Sequence, residues 1–176
     1  MMRTELRFAG FGGQGVILMG HIFGKAAVIQ GKNVTLTQSY GPEARGGSCS
    51  VDLILSEEDI FYPHVRNPDI LVIMSQSALD TYISGLKGNG KLLTDLGLVD
   101  TEEIDISSEG IPATEMAEKE LGTRIVANMV MLGFITGKTG LVSAEMVKES
   151  IKTLVPTGTE DKNIKAFELG YKDGTK

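Results

Sequence analysis

The chain has 176 residues, of which 41% are hydrophobic and 23% are charged, and its formal net charge is −6. A chain of this length suits one domain, and we expect residues 1–176 to form it. The negative charge argues against nucleic acid or an anionic membrane surface as a partner. No apolar run approaches the roughly 20 residues of a membrane span. Because the first residues lack the apolar core of a secretory signal, we expect a cytoplasmic protein.

Side chains that bind metals are few. Cys49 is the single cysteine, which excludes an internal disulfide and an iron–sulfur cluster held by this chain alone. The two histidines, His21 and His64, lie far apart in the sequence and form no metal-binding pattern. Cys49 has no histidine or lysine beside it, so we expect a buried, inert thiol. The sequence therefore predicts neither a metal site nor a catalytic residue.

The motif around which the chain is organised is GFGGQG at residues 10–15. It lies between a short strand predicted at residues 6–9 and an apolar-faced helix predicted from Val16. Glycines in this context permit a tight turn and let a diphosphate approach the backbone, while the unpaired N–H groups of the first helical turn face the anion. The motif predicts a phosphate cradle, and its alternative is a close-packed turn without a ligand.

The second half of a dinucleotide-binding fingerprint is missing. NAD-binding domains carry an acidic residue about 20 residues beyond the glycines, where it binds the ribose hydroxyls. Residues 32–38 contain no Asp or Glu, and the nearest arginine that could serve NADP is Arg45. The pattern therefore disfavours ordinary NAD binding.

A second glycine-rich loop, SYGPEARGG at residues 39–47, follows a strand predicted at residues 32–38. The connection to the next predicted strand, residues 50–56, is too short for a crossover helix, so this strand should run antiparallel to its partner or lie elsewhere in the sheet. Arg45 could bind a phosphate or carboxylate, or form a salt bridge across a subunit interface. If the strands before both loops are parallel neighbours, both loops open onto one edge of the sheet.

The rest of the chain alternates between predicted strands and helices. This alternation predicts a three-layer α/β/α Rossmann-like sandwich with a mostly parallel, mixed sheet. We expect Asn128 to be a hydrogen-bonded polar residue at a packing face. The further strands are predicted at residues 69–74, 90–95 and, at an edge, 103–106. The further helices are predicted at residues 75–85, 112–121, 124–137, 143–154 and 161–171.

The two loops together resemble those of the gamma subunit of 2-oxoacid:ferredoxin (acceptor) oxidoreductases. Finding both loops in one chain is specific, whereas either loop alone is not. The resemblance rests on residues 10–16, 39–43 and 45–47, and it continues in order through residues 68–72, 76–79, Asn128 and 163–171.

This resemblance implies a multi-subunit enzyme that oxidatively decarboxylates a 2-oxoacid to an acyl-CoA. Alpha and beta subunits would hold thiamine diphosphate and magnesium, and a ferredoxin-like delta subunit would carry iron–sulfur clusters. The present chain would hold no cofactor alone but would help to bind the substrate CoA. For the oxoacid, 2-oxoglutarate is the first expectation, with pyruvate, branched-chain oxoacids and indolepyruvate left open.

The resemblance also implies binding residues. It assigns the CoA diphosphate to the N–H groups of Gly12 to Val16, and it places residues 39–47 at the interface with the thiamine-binding subunits, where Arg45 also touches CoA. Two other functions compete with this one: a stand-alone NAD(P)- or flavin-binding module, and a purely structural subunit. The residues expected at the CoA site are Gly10, Phe11, Gly12, Gly13, Gln14, Gly15, Val16, Ser39, Tyr40, Gly41, Pro42, Glu43, Arg45, Gly46 and Gly47.

Overall fold

A computed structural model describes residues 3–41 and 47–176. Within these residues six strands form one sheet, in the spatial order β2-β3-β1-β4-β5-β6. β1, β4, β5 and β6 are mutually parallel, whereas β3 is antiparallel to both β1 and β2. The strands are β1 (Thr4–Phe11), β2 (Asn33–Tyr40), β3 (Ser48–Ser56), β4 (Ile70–Ile73), β5 (Lys91–Asp95) and β6 (Ser108–Ile111).

The mostly parallel, mixed sheet is confirmed, and so is the antiparallel direction of the strand after the second loop. The strands before the two loops are not neighbours, however, because β3 lies between β1 and β2. Since each of these two strands is antiparallel to β3, they still point the same way. Gly10 on β1 and Tyr40 on β2 both pair with Cys49 on β3. Both glycine-rich loops therefore leave the sheet at the same edge.

Helices cover both faces of the sheet, as predicted, but unequally. One face packs on α2, through contacts of Ala78 and Leu79 with Ala9, Leu71 and Ile73. The other helices share one large core cluster with the opposite face of the strands. The helices are α1 (Val16–Ile29), α2 (Gln76–Tyr82), α3 (Ala113–Leu121), α4 (Ala127–Thr139), α5 (Ala144–Leu154) and α6 (Glu160–Gly174), with 3-10 turns at Ile83–Gly85 and Arg124–Val126.

Two helices begin at a serine side-chain cap. The hydroxyl of Ser75 accepts a hydrogen bond from the N–H of Ala78 at the start of α2 (3.3 Å), and the hydroxyl of Ser143 accepts one from Met146 at the start of α5 (3.3 Å). Each cap satisfies one N–H group that has no partner inside its helix. Every helix among the described residues is too short or too polar to span a bilayer.

The prediction of an edge strand at residues 103–106 is wrong. The N–H of Ile104 bonds to the carbonyl of Thr101 (3.3 Å), as in a turn, and the strand beside β5 is instead Ser108–Ile111. Ile104 packs on the α2 side of the sheet. An alternating apolar and acidic pattern can thus arise from a turn that buries a single side chain.

The closest helix packing joins α4 to α6. α4 is buried along most of its length, from Ala127 to Thr136. A Cβ atom added at Gly133 would clash with the carbonyl oxygen of Phe167, and one added at Gly170 would clash with that of Val130. Because neither glycine carries a side chain, the two backbones touch directly. This contact fixes α6 against α4, and with it the position of the start of α6.

We predict that Gly170→Ala lowers the free energy of unfolding by about 1–3 kcal/mol, because the added methyl group forces apart two packed backbones. Urea unfolding followed by circular dichroism measures the change. Gly88→Ala is the matched control, since a Cβ atom at Gly88 has no atom within 4 Å. Equal stability of the two variants would show that the α4–α6 contact is not close-packed.

Candidate functional site

The glycine turn (residues 10–15) connects the end of β1 to the start of α1. Gly13 (φ +107°) and Gly15 (φ +74°) have left-handed backbone conformations that side chains disfavour. A Cβ atom at Gly13 would meet open space, whereas one at Gly15 would collide with the side-chain amide of Asn128. Gly15 is therefore required both by its conformation and by its contact with the start of α4.

The side chain of Gln14 braces the turn. Its Oε1 atom accepts a hydrogen bond from the N–H of Phe11 (2.9 Å), and its Nε2 atom donates to the carbonyl of Met74, just beyond β4 (2.5 Å). One amide thus ties the turn to the neighbouring parallel strand. Because both polar atoms of its amide are bonded within the protein, Gln14 holds the shape of the turn but has no free atom with which to bind a ligand.

The turn presents fewer free donors than the sequence implied. The N–H of Gly12 donates to the carbonyl of Gly47 (2.9 Å), and that of Gln14 donates to Phe11 (3.2 Å). Within the described part of the chain, the N–H groups of Gly13, Gly15 and Val16 donate to no acceptor. These three amides remain from the five predicted between Gly12 and Val16, and Ile17 and Leu18 in the first turn of α1 are free in the same way.

The second glycine-rich loop reaches the glycine turn through Gly47, the acceptor of the Gly12 bond. On the side of the loop that follows β2, Ser39 and Tyr40 end the strand, and Tyr40 is 64% exposed. Gly41 continues the pairing by donating to the carbonyl of Ser48 (2.7 Å). The predicted residues Pro42, Glu43, Arg45 and Gly46, together with Ala44, lie outside the described residues.

A cavity of about 420 Å³ lies between the starts of α1, α4 and α6, and we call it the α6 cavity. The start of α1 supplies unpaired N–H groups and a positive dipole end beside this space, which favours an anion. Its lining residues are Gly13, Gly15, Leu18, Thr123, Ile125, Val126, Asn128, Val155, Pro156, Thr159, Lys162 and Asn163.

Two buried asparagines hold the walls of the α6 cavity. Asn128 donates through Nδ2 to the carbonyl of Gly15 (3.3 Å), which confirms a hydrogen-bonded residue at a packing face. Asn163 donates to the carbonyl of Thr159 (2.8 Å) and fixes the turn before α6. No sequence pattern marks Thr159 or Lys162 as a site residue, because only the packing of α6 across α4 brings them near the glycine turn.

A second cavity, of about 350 Å³, lies on the other side of Gly13, and we call it the Phe11 groove. Its side chains are mostly apolar, with Phe11, Leu98 and Ala127 among them. Ile125, whose side chain is 85% exposed, lines both the groove and the α6 cavity and so stands between them.

Arg124 also lines the Phe11 groove, but its charge is already paired. Its Nη2 atom lies 2.7 Å from the Glu118 carboxylate, and this hydrogen bond raises the pKa of the guanidinium. The groove therefore offers an apolar surface rather than an uncompensated cation.

Cys49 is buried in β3, as predicted, and burial raises the pKa of its thiol. It is therefore not a nucleophile at neutral pH. The described residues contain no group of three or more His, Cys, Asp or Glu side chains placed to hold a metal ion. What the site can do is bind an anion at the glycine turn between two cavities.

A family model for pyruvate ferredoxin/flavodoxin oxidoreductase matches residues 5–172. The chain belongs to this family. It is a gamma subunit of a 2-oxoacid:ferredoxin oxidoreductase, as the two loops implied, and nothing among its relatives supports a stand-alone NAD(P) or flavin module. As an enzyme subunit it has partner subunits.

Three relatives illustrate the match. The 2-oxoglutarate synthase subunit KorC of Methanothermobacter marburgensis is 51% identical, over 96% of this chain and 95% of its own length. The keto/oxoacid ferredoxin oxidoreductase gamma subunit of Geobacter sulfurreducens superposes with a TM-score of 0.84 at 36% identity, covering 97% of this chain and 98% of that one. A 2-oxoglutarate:ferredoxin oxidoreductase from Magnetococcus marinus, solved with 2-oxoglutarate, coenzyme A and succinyl-CoA bound, shares the fold over 99% of this chain and 31% of its own, with a TM-score of 0.88 at 22% identity.

We predict that Gln14→Glu destabilises this gamma subunit by about 1–3 kcal/mol at pH 7, because a carboxylate oxygen replaces the amide donor opposite the Met74 carbonyl. The folded state then favours the protonated acid, so the pKa of the introduced carboxyl rises above about 4.3. The loss of stability shrinks as the pH falls through this raised pKa and is gone below about 4.3.

Unfolding curves at several pH values measure the effect. Gln38→Glu on the exposed edge strand is the control, because Gln38 uses only its Oε1 atom, as acceptor for the Tyr40 hydroxyl. If both variants lose stability equally and without pH dependence, the Met74 bond does not brace the turn.

Proposed function

We propose that this gamma subunit holds CoA for the oxidative decarboxylation of 2-oxoglutarate to succinyl-CoA by a larger enzyme, with the CoA diphosphate on the glycine turn. The observation that carries the proposal is the row of unpaired N–H groups at Gly13, Gly15 and Val16, which begins at Gly13, a residue that lines two cavities. Backbone donors at a helix N-terminus bind phosphate oxygens without requiring a basic side chain. A diphosphate with bulky groups at both ends suits a donor row with space on both sides.

The absence of an acid in β2 agrees with CoA rather than NAD. The carboxylate of NAD-binding domains accepts hydrogen bonds from two free ribose hydroxyls. In CoA one of these hydroxyls carries a phosphate, which a carboxylate would repel. β2, from Asn33 to Tyr40, contains no acidic side chain. The Magnetococcus marinus enzyme, of which 31% of the chain shares this fold, was solved with coenzyme A bound.

The chemical steps belong to partner subunits in this proposal. Alpha and beta subunits bind thiamine diphosphate with magnesium, which supplies the decarboxylation chemistry, and a ferredoxin-like delta subunit carries iron–sulfur clusters that accept the electrons. The present chain contributes orientation: the braced glycine turn fixes the diphosphate and thereby limits where the CoA thiol can reach. Residues 39–47 form the contact with the thiamine-binding subunits, and Arg45 touches CoA there.

A pair of variants at Gly13 tests the CoA site. Asn and Asp both tolerate a positive φ better than other side chains, and they differ by one charge. In the assembled enzyme we predict that Gly13→Asp raises the KM for CoA about tenfold more than Gly13→Asn, because its carboxylate faces the diphosphate. Steady-state rates of viologen reduction with varied CoA measure the KM.

The outcome separates binding from structure. If the two Gly13 variants assemble equally well and have the same KM for CoA, no anion binds at the glycine turn and the proposal fails. If both fail to assemble, the comparison moves to Leu18→Gln and Leu18→Glu, which differ in the same way one turn into α1, where Leu18 lines the α6 cavity.

For the oxoacid, the 51% identity to a 2-oxoglutarate synthase subunit supports 2-oxoglutarate. We predict that the enzyme purified anoxically through this subunit oxidises 2-oxoglutarate in a CoA-dependent reaction, with a kcat/KM at least about tenfold above that for pyruvate. A higher kcat/KM for pyruvate or a branched-chain oxoacid would show that 2-oxoglutarate is the wrong oxoacid, without affecting the proposed CoA site.

A further inference from the structure

We propose that Lys162 binds the phosphate monoester on the ribose of CoA, so that the adenosine end lies in the α6 cavity and the pantetheine arm lies in the Phe11 groove. This inference rests on the CoA assignment made above. It adds the direction in which the ligand runs and a residue that distinguishes CoA from ligands that lack the extra phosphate.

The first argument is the charge of Lys162. Among the described residues that line the α6 cavity, Lys162 is the only charged one. Within residues 3–41 and 47–176 its ammonium forms neither an ion pair nor a hydrogen bond. The acidic residues next to it do not line the cavity, and the carboxylate of Glu160 is occupied by the N–H of Gly158 (2.7 Å). The cavity therefore carries an uncompensated cation.

The second argument is the contrast with the Phe11 groove. There the cation, Arg124, is paired with Glu118, and the remaining surface is largely apolar, with Phe11, Leu98 and Ile125. The pantetheine arm of CoA is an uncharged chain of amides and methylene groups that ends in a thiol. The adenosine end carries a dianionic phosphate. The charged end matches the cavity with the free ammonium, and the neutral arm matches the apolar groove.

The third argument is continuity between the two cavities. Gly13 and Ile125 belong to the lining of both, so the free N–H group of Gly13 lies at this junction, and Gly15, whose N–H group is also free, lines the α6 cavity. A ligand with a diphosphate at its centre can therefore place one end on each side. In this arrangement the exposed side chain of Ile125 separates the adenosine from the arm.

Dephospho-CoA, which lacks only the phosphate monoester, tests the role of Lys162. In the assembled enzyme Lys162→Gln should raise the KM for CoA about tenfold, because one charge-assisted hydrogen bond is lost. The KM for dephospho-CoA should change by less than about twofold, since a charge that contacts only the missing phosphate contributes nothing to this ligand. Lys162→Arg should keep most of the preference for CoA.

Lys172→Gln is the matched control. It makes the same charge change on the same helix, about 15 Å further along the axis, and should leave the KM values for both ligands as they are. Equal increases for CoA and dephospho-CoA in Lys162→Gln would place this ammonium on the diphosphate and overturn the inference, and so would no increase for either.

The result is distinguishable from failure of the CoA site itself. If Gly13→Asp raises the KM for both CoA and dephospho-CoA while Lys162→Gln does not change their ratio, CoA binds at the glycine turn and only the proposed direction is wrong. If Gly13→Asp and Gly13→Asn do not differ for either ligand, the CoA assignment falls, and the inference about Lys162 falls with it.

Discussion

The contact between the backbone of Gly15 and the side chain of Asn128 is the constraint on which the site depends. It joins the start of α1 to the start of α4, two segments far apart in the sequence, and no side chain at position 15 could allow it. Because α4 is in turn pressed against α6 through Gly133 and Gly170, the starts of three helices are held around one space. The cavity is thus a product of close helix packing rather than of a specialised loop.

The electrostatics of this space differ from those of the whole molecule. The chain has a net charge of −6, which disfavours anionic ligands at long range. Locally, the start of α1 and its unpaired N–H groups supply positive potential without any titratable group, and Lys162 is the one charged side chain among the described residues that line the α6 cavity. A site of this kind keeps its anion affinity across a wide pH range, because backbone amides do not titrate. Selectivity must then come from shape and from charged side chains, of which Lys162 is the one among the described residues that line the cavity.

Much of the fold could be predicted from local signals. The strand, glycine turn and helix at the amino terminus, the serine caps of α2 and α5, and the antiparallel β3 all follow from short-range chemistry. What could not be predicted depends on contacts between distant segments. The loss of Gly12 as a donor requires Gly47 to reach it, and Lys162 becomes a site residue only because α6 returns across α4. The strand wrongly predicted at residues 103–106 shows that a local pattern can also mislead, because alternation of apolar and acidic residues alone does not guarantee a partner strand.

The burial of Cys49 has a consequence for the proposed CoA site, because CoA is itself a thiol. Cys49 pairs in register with Gly10, at the same edge of the sheet as the glycine turn. Thiol–disulfide exchange requires an accessible thiolate. A buried sulfur with a raised thiol pKa meets neither condition. The one cysteine of this subunit is therefore protected from forming a mixed disulfide with oxidised CoA.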